Sequence, residues 1–344
     1  MRLLVCALGS LCCSIIILFI SSEYGFAETS PCIGENYLFQ QQFAIGTDDI
    51  DQPNYNFGHI SGIDTDTSGN IYVGDTGLYR ILKFSSRGQF LHSFGNGNGM
   101  ELGEFMDLRG IAVDKDNNLF VADFDMQRIT IFQEDGTLLR TIETSMMPYK
   151  LVIDKEGAFY VIGRPSSFEG PLIHKYDASG QFVLAFCDRE GVHDLESGNM
   201  GRIAIDRDQN IYYALPYPYE IRKFSPNGKL LATIERPDAG LGSPMEKTSP
   251  RIISCASKGL AILPDGKIAN IFFRFIDHQS NEKEAYFDLF SPKGELLLTA
   301  PLSDDCIDHY RERSLYHFHA DKDGYVYLDQ FDFYPSIVKF ALDY

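Results

Sequence analysis

The sequence predicts an all-β chain in which six copies of one four-stranded antiparallel meander stand in a ring. Three observations carry this. One stretch that alternates as strands do recurs six times; its internal spacing is kept from copy to copy; and the last copy stops one strand short while an unassigned strand precedes the first.

The clearest copy is GIAVDKDNNLFVADFDMQRITIFQEDGTLLRTI at 110–142. Its apolar residues alternate in four runs, Ile111 and Val113, Leu119 and Val121, Ile129 and Ile131, then Leu138 and a closing Ile142. Turn-forming residues at 115–118, 124–127 and 134–136 separate the runs. A sheet that is apolar on both faces cannot bury them alone, so it stacks on others of its kind.

Further copies begin at Gly62, Lys150, Arg202, Gly259 and His317. The step from the first-turn Asp to the aromatic of the third strand is the same in Asp66/Phe84, Asp114/Phe132 and Asp206/Phe224. Insertions in the second turn stretch it in Asp154/Tyr176 and Leu263/Phe290. From that aromatic to the end of the fourth strand the step is constant in Phe84/Phe94, Phe132/Ile142, Tyr176/Phe186, Phe224/Ile234 and Phe290/Ala300.

The sixth copy ends at Tyr344, before a fourth strand can form. The strand at 38–46 is expected to supply it and close the ring, protecting the edges an open stack would expose. The units then fall at 60–95, 108–142, 149–186, 201–234, 257–300 and 316–344, all in one domain over 28–344.

The segments Asp-Thr-Gly-Leu-Tyr-Arg-Ile at 75–81 and Asp-Phe-Asp-Met-Gln-Arg-Ile at 123–129 resemble NHL repeats. The resemblance spans about residues 38–344. It implies a six-bladed β-propeller of four-stranded antiparallel blades, its ring closed by the N-terminal strand pairing into the last blade. Arg80 and Arg128 fit the motif; Leu172, Glu220, Tyr286 and Ser336 depart from it at the same position. By fold analogy the family implies a binding module for a protein, peptide or glycan, without catalytic residues. Some six-bladed propellers are metal-dependent hydrolases or lyases, which is the alternative.

Residues 1–27 carry Arg2, an apolar run from Leu3 to Ile20, and Gly-Phe-Ala ahead of Glu28, the layout of a secretory signal peptide. The chain is therefore expected to be exported, to the periplasm or beyond, or else held by that segment as an N-terminal membrane anchor. The absence of an Asn-Xaa-Ser/Thr acceptor after residue 27 points to the periplasm. Four cysteines follow the signal, and the expected bridges are Cys187 with Cys255 and Cys32 with Cys306, against the alternative of free thiols. A net charge of −18 argues against nucleic acid and anionic membranes as partners. Oligomeric state is not legible.

Two candidate sites share one end of the ring. The residues entering the inner strands are Ser61, Arg109, Tyr149, Gly201, Lys258 and Tyr316, and the Arg, Tyr and Lys among them form a channel mouth suited to an anionic or peptide ligand. His317 and His319, alternate residues of an inner strand, are candidate ligands for a divalent metal, with the third ligand unassigned. His59, His193 and His309 approach the same rim. No other cofactor is indicated. Aspartates at 64–69, 114–116 and 321–324 imitate the start of a calcium loop, but they sit where a hairpin turn wants Asp and Gly. Insertions at 236–258, 277–284 and 301–316 are expected to elaborate the face that carries this mouth. No nucleophile elbow, P-loop or dinucleotide fingerprint is present.

Overall fold

The computed structural model describes residues 39–166, 169–189, 200–236, 255–277, 282–302, 317–331 and 334–343. The sequence sorts them into six four-stranded antiparallel sheets. Blades 1 to 5 each run outward in chain order from an inner strand: Ile60–Thr65, Leu108–Val113, Met146–Ile153, Arg202–Ile205 and Cys255–Ile262. Blade 6 starts from Phe318–Ala320 and takes its outermost strand from the other end of the chain. There Phe39–Ile45 lies antiparallel to Pro335–Leu342, with Phe39 opposite Leu342 and Ile45 opposite Ile337. Consecutive inner strands touch all the way round, blade 6 against blade 1 included. The ring is therefore closed, and no blade is left with an unpaired inner face.

The conserved spacing has a structural cause. In blades 1 to 5 the fourth strand carries one extra residue, Leu91, Leu139, Val183, Leu231 or Leu297, opposite the step into the third-strand aromatic at Phe84, Phe132, Tyr176, Phe224 and Phe290. The bulge bends the blade's outer edge and leaves the extra residue exposed to solvent.

The core is divided rather than central. Six apolar clusters each join two neighbouring blades; Phe39 and Ala44 pack with blade 5, whereas Ile45 packs with blade 1. Four of the six interfaces are pinned at the rim by the glycine of a third turn. A Cβ on Gly180 would stand 2.5 Å from Ile142, one on Gly228 2.8 Å from Phe186, and one on Gly294 2.7 Å from Ile234. Gly88 faces Ile45 in the same way at 3.3 Å, so the N-terminal strand fills the role of any other blade's last strand.

The first-turn aspartates are turn residues. Asp66, Asp114, Asp154 and Asp321 each accept backbone N–H bonds at Oδ1 from residues two and four further on, and Asp206 accepts the later one. Those oxygens close Asx turns instead of facing an ion.

Cys187 corrects an expectation. It is a free, buried thiol with Sγ 3.9 Å from Arg222 Nη1, so the bridge to Cys255 is not formed. Its backbone is left-handed (φ 68°), and the side chain points into the interface with blade 4. Cys32, Cys306 and the side chain of Cys255 lie outside the described residues, as do the signal segment and most of the three insertions. Among the described residues no helix is long and apolar enough to cross a membrane.

Candidate functional site at the channel mouth

The inner strands deliver polar groups to one end of the ring through a second set of bulges. Register shifts fall between Ile60 and Gly62, Leu108 and Gly110, Pro148 and Lys150, and Ser257 and Gly259. The residues caught in them are Ser61, Arg109, Tyr149 and Lys258, four of the six expected at the mouth. Bulged residues leave the ladder, which frees them to be re-aimed. Gly201 lies just ahead of the inner strand of blade 4, and Tyr316 lies outside the described residues.

These residues do not line an open ring evenly. Arg109 bonds Asp107 Oδ1 through Nε at 2.7 Å and lies over the Phe124 ring, 5.5 Å from its centroid. Lys258 sits 5.8 Å from the centroid of Phe273. Tyr149 is fully buried, and its hydroxyl has no hydrogen-bond partner.

The centre of the mouth is built from the next position along, where the repeat has Gly62, Gly110 and Gly259 in three blades but Lys150, Arg202 and His317 in the others. Lys150 reaches across two blades to the carbonyls of Ser61, at 2.5 Å, and Arg109. Arg202 donates Nε to the Lys258 carbonyl at 2.7 Å and Nη1 to that of Gly201 at 2.8 Å. The ring of Tyr149 lies beside both cations, 5.2 Å from Lys150 Nζ and 5.8 Å from Arg202 Cζ.

His317 completes the group. Asp329, on the second strand of blade 6, accepts from the His317 amide at 2.5 Å and faces Nδ1 at 3.0 Å, while Nε2 is buried without a hydrogen-bond partner. Burial pushes the Asp329 carboxyl up to about 8, against the opposing pull of Lys150 and Arg202. Burial also drives His317 well below its ordinary value, and the charges of Lys150, Arg202 and His59 add to that. The pair therefore behaves as one unit sharing a proton. Lys150 is itself held well below the usual lysine range by burial, then by Arg202 and Arg109.

The His317 and His319 rings have different partners. The His319 ring turns to blade 1, with Nε2 2.9 Å from Thr65 Oγ1 and Nδ1 3.4 Å from Asp64 Oδ1. Among the described residues no three His, Cys, Asp or Glu side chains are grouped to hold a metal ion. His59 stays close enough to act electrostatically on His317; His193 and His309 lie outside the described residues. A cleft of about 210 Å³ between blades 2 and 3, walled by Asp114, Asp116, Glu156 and Arg140, opens at the opposite ends of these strands and has no part in the mouth.

Lys150, Arg202 and Asp329 are not apparent from any one copy of the repeat. Aligning all six shows them, because Asp329 stands where other blades have Gly74, Ala122, Ile162, Ala214 and Ile271.

Together these features define a class: a six-bladed β-propeller whose inner strands gather cations, an imidazole–carboxyl pair and a phenol at one end of the channel. The chain belongs to the DUF5128 family of 6-bladed beta-propellers, whose sequence profile matches residues 52–230. Among curated proteins none matches this sequence. Solved structures that share the fold include a gluconolactonase from Xanthomonas campestris, 14% identical, with a TM-score of 0.55 over 84% of this chain and 87% of that one. Virginiamycin B lyase from Staphylococcus aureus is 10% identical, with a TM-score of 0.54 over 89% and 100%. The WD40 repeats of RRP9 are 12% identical, with a TM-score of 0.54 over 83% and 80%.

Proposed function

We propose that the chain is an exported NHL-type propeller that binds an anionic ligand, a carboxylate-bearing glycan or peptide, at the channel mouth. The observation that carries this is the convergence of Lys150 and Arg202 on Tyr149 in a molecule whose net charge is −18. Gathering like charges in a half-buried place opposes folding, and an anion offsets that cost when it binds. Arg109 extends the same polarity toward solvent, its side chain 34% exposed.

The alternative, a metal-dependent hydrolase or lyase at His317 and His319, has weaker support. An imidazole backed by a carboxylate suits a metal ligand, but the charges of Lys150 and Arg202 act on His317 and oppose a second cation there. The fold admits both classes, since neighbours include a lyase as well as WD40 repeats.

Calorimetric titration with oligogalacturonate and with oligoglutamate tests the main reading. Binding that weakens with salt and is lost in Arg202→Met and Lys150→Met is expected; binding that ignores both substitutions sinks it. A stoichiometric ion in purified protein, lost in the His317→Ala, His319→Ala double variant, would restore the metal-dependent alternative.

A further inference from the structure

We propose that the mouth is also catalytic, with His317 as general base and Tyr149 as general acid in a metal-independent β-elimination that cleaves a 4-linked uronic acid glycan. This rests on the anion-binding reading and names its substrate class.

Three buried polar atoms lack partners where the cations meet, His317 Nε2, the Tyr149 hydroxyl and Ser61 Oγ, and the first two can carry protons in catalysis. Leaving such groups unsatisfied opposes folding, so a site that keeps them is built for something that engages them. The protonation roles of His317 and Tyr149 differ. Once the Asp329 carboxyl is ionised it accepts from Nδ1–H and fixes the ring so that Nε2 presents its lone pair, the arrangement of a base. The Tyr149 hydroxyl is a proton donor beside two cations, Lys150 and Arg202.

Cations next to a base favour one kind of chemistry. A carbon–hydrogen bond alpha to a carboxylate becomes acidic only when the charge that develops on the carboxylate oxygens is stabilised, which an ammonium and a guanidinium do. In the step, the C5 proton passes to His317 Nε2 and its electron pair forms the C4–C5 double bond. The C4–O bond breaks, its pair leaves with the glycosidic oxygen, and the Tyr149 proton caps that oxygen. No water, metal or redox partner is consumed. Every 4-linked uronate unit carries both the acidic hydrogen and the leaving group, whereas a peptide carries the combination only at special residues. Lys150 and Arg109 are partly exposed, so the cluster reaches the surface through them.

The test uses the full chain with polygalacturonate, alginate and chondroitin in EDTA, following the ultraviolet absorbance of the unsaturated product and, separately, binding by calorimetry. At least one glycan should yield product, with the rate falling about 100-fold or more in His317→Ala and in Tyr149→Phe while binding and melting temperature hold. Asp329→Asn, which acts through His317, should lower kcat and leave KM unchanged. Binding without unsaturated product, or full activity in His317→Ala, overturns this inference and leaves the anion site standing. No binding of any of the three, or of oligoglutamate, overturns both.

Discussion

Asp329 holds His317 twice, accepting from its backbone amide at 2.5 Å and lying 3.0 Å from its ring Nδ1. The same carboxyl thereby ends the approach to the inner strand of blade 6 and orients the imidazole at the mouth. Fold and site are joined at one residue.

That pairing gives a pH dependence with a definite sign. The folded Asp329 carboxyl titrates at about 8, above its ordinary 3.8, so the folded state keeps a proton that the unfolded chain has released. Stability from this group is greatest at acid pH, falls as pH rises from about 4 to about 8, and is level above that. The melting temperature of Asp329→Asn, relative to wild type, should therefore climb across this window. A difference that stays flat from acid to alkaline pH would show that the carboxyl is not perturbed.

Phe39 is the buried aromatic of the strand that closes the ring. Phe39 is 8% exposed and packs edge-on against Phe287, ring centroids 5.0 Å apart, and Phe340, 5.8 Å apart. Phe39→Ala should cost about 3–5 kcal/mol in urea unfolding. Loss of under 1 kcal/mol would mean that the strand adds little to closure.

The interface glycines make a second mechanical test. Gly180 has φ +90°, and a Cβ there would meet Ile142 at 2.5 Å. Gly180→Ala should lower the melting temperature by several degrees. The double variant with Ile142→Val should recover only part of that, because the backbone strain remains.

Asp75 anchors the connection into blade 1. Its Oδ1 accepts from the amides of Gly58 and His59, each at 3.0 Å, and Oδ2 meets Arg80 Nε at 3.3 Å. Asp75→Ala leaves two amides and a guanidinium short of an acceptor and should destabilise by about 2–4 kcal/mol. Asp123, bonded to the amides of Met106 and Asp107, should behave alike. Near-neutral substitutions, measured by thermal unfolding, would remove these carboxylates from the account of the repeat.

Burial pushes the Cys187 thiol up to about 11 despite the neighbouring Arg222. In folded protein its reaction with a disulfide reagent at neutral pH should run at least about tenfold slower than in denaturant. Comparable rates would mean that the thiol is accessible.

How much of this was legible in the chain follows from the range of each interaction. Alternation, turn residues and the constant step from Phe84 to Phe94, or Phe132 to Ile142, are local, and they set the blade count and showed that the last blade lacked a strand. Ring closure followed because an unpaired edge is costly wherever it falls. That Ser61, Arg109, Tyr149 and Lys258 stand at the start of the inner strands was also readable, since their position in the repeat fixes their height there. Two things required the folded ring. One is that His319 turns to Asp64 and Thr65 of the neighbouring blade while His317 stays with Asp329. The other is that Lys150, Arg202 and Asp329, far apart in sequence, meet at a channel end. Repeat periodicity specifies which residues reach the axis, but only closure of the ring brings charges from different blades within range of one another.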